Sequence, residues 1–110
     1  MSEARLTSTM LVSAIRRLAE VHSGFATLLR KGDDTSGAIV IELYERGVFE
    51  GLYERMPKLS GGLNWVKLGT DDESRAAYLQ KRTDTDPDLT IVELDVPDAT
   101  RFVPLLPSGT

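Results

Sequence analysis

The chain has 110 residues, enough for one hydrophobic core and too few for two, and its 41% hydrophobic and 27% charged residues are those of an ordinary globular domain. A formal charge of -4 with a pI near 4.9 opposes nonspecific attraction to nucleic acid, and the absence of cysteine excludes disulfides, thiolate metal ligands and cysteine nucleophiles while fitting a reducing compartment. Neither the opening MSEARLTSTM nor any later stretch has the apolar run of a signal peptide or a membrane span, so a cytoplasmic protein without membrane association is expected.

From Thr7 to His22, Leu11, Ala14, Ile15, Leu18 and Val21 recur at the helical period, with Thr7, Ser8 or Thr9 able to cap the start and Ser23-Gly24 a plausible stop. GFATLLRKG then reads as a first strand closed by the turn Lys31 to Asp34. The nearly all-apolar run Ala38 to Leu43 predicts a central strand.

LYER occurs twice, at Leu43 and at Leu52, and the spacing raises the question of a repeat. A hairpin explains the echo better than a duplication, because fold-building repeats recur at about 20 to 50 residues. Gly47-Val48 as its loop sets Leu43 opposite Leu52, Glu42 opposite Tyr53 and Tyr44 opposite Gly51, but also opposes Glu45 to Glu50; a three-residue loop that pairs Arg46 with Glu50 is the other option.

LNWVKLG follows as an edge strand, and Thr70 with Asp71, Asp72 and Glu73 has the composition of a capping box for a second helix running to about Arg82. Pro87 stops that helix and LTIVELDV makes the last strand. The order α-β-β-β-β-α-β predicts an α+β domain, two helices packed on a mainly antiparallel sheet of four to five strands, over residues 1–103, with a flexible tail at 104–110.

The chemistry is sparse. His22 is the single histidine and has no partner for a zinc site; Asp84, Asp86 and Asp88 open like a calcium loop but lack its glycine and closing glutamate, so no metal or cofactor is expected. No nucleophile elbow or phosphate loop is present, and the acids Glu42, Glu45, Glu50 and Glu54 read as the polar face of the hairpin. The element order resembles the core of restriction-endonuclease-like nucleases, with Asp33 or Asp34 as a first acid. However, the acid-x-Lys motif is absent, since Trp65 stands two before Lys67 and no Lys stands two after Glu42, Glu50 or Glu54. A degenerate nuclease-like domain is therefore the alternative, and nucleic acid is disfavoured as a partner.

Positive signals are Arg30 and Lys31 at the end of the first strand, Tyr53 and Arg55 on one side of the third, and Trp65, the lone tryptophan. On a shared exposed face they would have the composition of a binding hot spot; the competing reading has Trp65 over the core with the arginines lying across it. The residues thus point to a non-enzymatic binding or protein-interaction module, monomer or homodimer, with a protein partner or small ligand and these five residues as its candidate site.

The stretches VSAIRRL, GFATLLRKGD, GAIVIEL, ERG, LYERMP and DPDLTIVELD, in that order between Arg5 and Val103, resemble the small bacterial family known as domain of unknown function 1491. The resemblance implies a small cytoplasmic bacterial protein and carries no activity, cofactor or catalytic residue. An aromatic often follows Asp-Pro-Asp-Leu in the family's pattern where Thr90 stands here, so stacking at that position is not carried over.

Overall fold

The computed structural model describes residues 6–109. Helix α1 (Ser8–Val21) is followed by strands β1 (Phe25–Arg30), β2 (Ile39–Glu45), β3 (Val48–Pro57) and β4 (Leu63–Lys67). Helix α2 (Arg75–Thr85), strand β5 (Thr90–Asp95), a one-turn helix α3 (Ala99–Phe102) and a 3-10 turn at Val103–Leu105 complete the chain. The five strands form one sheet in the order β1-β5-β2-β3-β4, antiparallel except where β5 runs parallel to β2. The α+β architecture with a mainly antiparallel sheet is as expected; the short α3 is additional to the two expected helices.

Helix α1 forms because Leu11, Ile15 and Ala19, each four residues after the last, make a fully buried stripe. Thr7 caps it by accepting the Met10 N–H at 3.2 Å. At the other end His22 Nδ1 lies 3.0 Å from the Leu18 carbonyl and its ring meets Phe102 edge-on, 5.2 Å between centroids. Ser23, at φ 66, then turns the chain into β1.

The apolar run of β2 has the consequence its composition demands, since helices cover both sheet faces. Ile39, Ile41 and Leu43 join Leu11, Ile15, Val92, Leu94 and Phe102 in the larger core under α1 and α3. Val40 joins Leu52, Leu89 and Ile91 in a smaller one, against which Tyr78 and Leu79 of α2 pack. Where the length predicts one hydrophobic core, the buried residues divide between two, one on each sheet face, and Leu18 of the α1 stripe is only partly buried.

Two local expectations are corrected. The hairpin loop is Arg46-Gly47, with φ of 51 and 81, so that Glu45 opposes Val48 and Leu43 opposes Gly51, with a bulge on β3. The cause lies outside the hairpin: the Asp95 carboxylate accepts the N–H of Arg46 at 2.9 Å and of Gly47 at 3.0 Å and holds both in the left-handed region. Helix α2 starts later than the Thr70 box implies, at Arg75; Asp71 instead accepts the Ser74 N–H at 2.8 Å and closes a turn, which holds its carboxyl below the usual range.

Residues 104–109, assigned from sequence to a tail, run along the α1 side of β3 and β4. Leu106 is buried in the larger core, and Trp65 Nε1 and an Arg55 Nη1 each donate, at 3.0 Å, to the carbonyls of Pro107 and Ser108.

Candidate functional site

The five residues singled out from sequence fall into two places. Arg55 and Trp65 are register partners on β3 and β4, on the same sheet face as Tyr53, so these three do come together. They lie beneath the C-terminal segment: Tyr53 is 8% exposed, with burial the main cause that pushes its phenol up and Glu50 adding to it, while Arg55 and Trp65 hold the backbone of residues 107–108. Arg30 and Lys31 lie at the opposite edge of the sheet, on and just after β1. Arg30 donates to the Leu89 carbonyl, and Lys31 forms an exposed ion pair with Asp34 at 3.0 Å.

Lys31 belongs to a second feature that the sequence left unmarked. The turn after β1 docks onto the first turn of α1: the N–H groups of Ser8 and Thr9 donate to the carbonyls of Thr35 and Asp34, both at 3.2 Å. Asp33 shapes this turn by accepting the Ser36 and Thr35 N–H groups at 2.8 and 3.0 Å, and these bonds hold its carboxyl below its ordinary value. Between the turn, β1 and α1 lies a cleft of about 220 Å³. Val12 and Leu28 make it apolar, and Thr90, whose Oγ1 accepts the Gly32 N–H at 3.1 Å, contributes a polar group already in use.

Ser8 is different. It lines the cleft and is only 3% exposed, yet its hydroxyl has no hydrogen-bond partner among the described residues. An unsatisfied buried hydroxyl costs about 1 to 3 kcal/mol, and native folds rarely leave one without a reason. Arg16 also lines the cleft, and no ion pair or hydrogen bond engages it among the described residues. Ser8, Val12 and Arg16 stand at intervals of four, so a hydroxyl, an isopropyl group and a guanidinium follow one another along one helical stripe facing the cleft. That spacing is visible in the sequence; the burial of Ser8 is not.

On the opposite sheet face two acids of the hairpin, Glu42 and Glu54, are committed to α2, while Glu45 accepts the Ala99 N–H of α3 at 2.9 Å. Glu42 accepts from Arg75 at 2.7 Å, and Glu54 accepts from both terminal nitrogens of Arg82 at 2.5 and 3.1 Å. Arg82 is held further towards its charged form chiefly by that bond. Asp33 and Asp34 follow β1, with β5 between that strand and β2, and no three His, Asp or Glu side chains among the described residues are close enough to hold a metal ion. No helix among them is long and apolar enough to cross a membrane.

These elements define a small α+β domain: a five-stranded mixed sheet with helices on both faces and a cleft where the turn after the first strand meets the start of α1. Residues 6–104 match the family described as protein of unknown function, DUF1491, and the chain belongs to that family. It is similar to the crystal structure of a DUF1491 family protein from Caulobacter crescentus CB15, with a TM-score of 0.73 and 28% identity over 82% of this chain and 87% of that one. An NMR structure of a DUF1491 family protein from the same organism gives 0.76 and 28% over 92% and 94%. The solution structure of a protein from A. tumefaciens gives 0.69 and 30% over 84% and 86%. No curated protein matches the chain with significance.

Proposed function

We propose that the protein is a small cytoplasmic, non-enzymatic binding module whose ligand site is the cleft between α1 and β1. The observation that carries this is the Ser8 hydroxyl, buried without a partner among the described residues at a concave, largely apolar site, the arrangement expected of a preformed small-molecule pocket. A volume of about 220 Å³ falls below the ~300–1,000 Å³ of drug-sized ligands, so the occupant is a small metabolite and not a nucleotide. The nuclease-like alternative has less behind it, because Glu42 and Glu54 are each neutralised by an arginine of α2. Screening a neutral and charged fragment library by amide NMR tests the reading. Saturable shifts converging on Ser8, Val12 and Leu28 are expected; fragments that shift only other surfaces would overturn it.

A protein-interaction reading draws on a separate observation. Strand β1 is a sheet edge, and Phe25 and Leu29 are 53% and 49% exposed. Such an edge can accept another strand, including one from a second copy. Sedimentation at increasing concentration tests this: dimerisation that Leu29→Lys abolishes supports it, and a monomer throughout opposes it.

A further inference from the structure

We infer that the cleft takes a small organic carboxylate with a short apolar body and a hydrogen-bonding group at its far end. The inference rests on the cleft being the ligand site and specifies its chemistry. Along the stripe Ser8, Val12, Arg16, consecutive members are one helical turn apart, so the outer two Cα atoms are separated by about 12 Å. Helical side chains lean towards the N-terminus, and the long arginine therefore reaches back over Val12, which leaves a gap matched by a chain of some five or six carbons.

The sign of the charge follows from which groups are already engaged. Lys31 and Asp34 neutralise each other, and Asp33 is occupied by the N–H groups of its own turn. Among the described residues lining the cleft, Arg16 is the charge with no ion pair or hydrogen bond, and its planar fork matches a carboxylate in two parallel hydrogen bonds. Val12 and Leu28 offer no polar group to the middle of the ligand. At the far end the Ser8 hydroxyl is covered, and a turn about its χ1 brings it to the cleft that the residue lines, where it both donates and accepts and so suits a hydroxyl or carbonyl group.

The test titrates the full chain with ω-hydroxyhexanoate, hexanoate, hexanediol and hexylammonium, following amide shifts. The hydroxy acid is expected to bind tightest, with shifts at Ser8 to Arg16 and at Leu28 to Lys31. Arg16→Gln should weaken both acids about tenfold, the equivalent of one charge-assisted pair, and leave hexanediol unchanged. Ser8→Ala should bring the hydroxy acid down to the affinity of hexanoate while raising the melting temperature, since it removes an unsatisfied buried hydroxyl; a merely structural serine would do the reverse. Binding of hexylammonium or hexanediol as tight as that of the acids, or indifference to Arg16→Gln, overturns the ligand class and leaves the cleft as the site. If neither these probes nor any neutral fragment shifts the cleft, the ligand class and the site fall together.

Discussion

Arg75 and Glu42 form an ion pair across the second sheet face, 2.7 Å from nitrogen to oxygen, in which the carboxylate side chain is only 8% exposed. The guanidinium also lies over the rings of Tyr44 and Phe49, at 5.3 and 4.9 Å from their centroids, and its Nε reaches Asp72 at 2.9 Å. Helix α2 buries none of its own residues, so this pair and the Arg82–Glu54 pair supply much of its attachment. Arg75→Ala strands a buried carboxylate, and a loss of about 3 kcal/mol is expected in urea denaturation. The double variant Glu42→Gln, Arg75→Met should recover most of it, because the cost lies in the unpaired charge. A single variant within about 0.5 kcal/mol of the parent would show α2 to be held by other means.

Trp65 and Arg55 anchor the C-terminal segment through its carbonyls, and that makes the effect of each separable. Trp65→Phe keeps an aromatic ring over the core but loses the Nε1 donor, and should cost about 1 kcal/mol. Arg55→Ala removes the donor to the Ser108 carbonyl together with the whole side chain beyond Cβ. Hydrogen exchange at residues 106–109 should accelerate in both variants; unchanged exchange would mean that the core contact of Leu106 alone holds the segment.

The left-handed pair in the β2–β3 loop makes opposite predictions at neighbouring positions. A Cβ on Gly47 would meet nothing within 4 Å, so Gly47→Ala costs only the backbone strain at φ 81, about 1 kcal/mol. Arg46→Asn relieves the same strain at φ 51 and should stabilise by roughly 0.5 kcal/mol. Asp95→Ala removes the acceptor for both N–H groups and should shift the amide resonances of the loop. Equal melting temperatures for the two loop variants would contradict the assignment of strain.

Asp33 gives the turn beside the cleft a pH signature. Its carboxyl is held below the ordinary value of 3.8, first by the Ser36 N–H and then by that of Thr35. A folded-state value below the unfolded one stabilises fully at pH above 3.8, and that contribution is lost as pH falls through the lower folded value. The advantage of the parent over Asp33→Ala should therefore be constant near neutrality and vanish in strong acid. Melts at stepped pH, with a carboxyl NMR titration, measure it; an advantage that grows on acidification would reverse the sign.

What was legible in the residues is what periodicity controls. The stripe Leu11, Ile15, Ala19 and the unbroken run of β2 announce their elements because each obeys one repeat. The hairpin register was not legible, since Asp95 sets it from 48 residues beyond Gly47. The same holds for Trp65, whose burial depends on where the C-terminal segment settles. Some motif glycines gain their meaning only in space: a Cβ on Gly24 would stand 2.3 Å from Val96 Cγ1, and one on Gly32 would stand 2.0 Å from the Asp88 carbonyl oxygen. At the cleft, Lys31 was visible as a charge after a strand. Ser8 looked like one of three interchangeable caps, and the cap is Thr7.

The place of β5 between β1 and β2 governs the order in which the chain can fold. Hairpin β2–β3 and its neighbour β4 can form locally, but β1 has no strand to pair with until residues 90–95 arrive, about 50 positions after β2. Loop closure over that distance must precede the contacts that reward it, which slows the rate-limiting step compared with a meander of the same size. On the ribosome, α1 and β1 emerge first and wait longest. The apolar edge of β1 is therefore open to pairing errors until synthesis reaches Asp95.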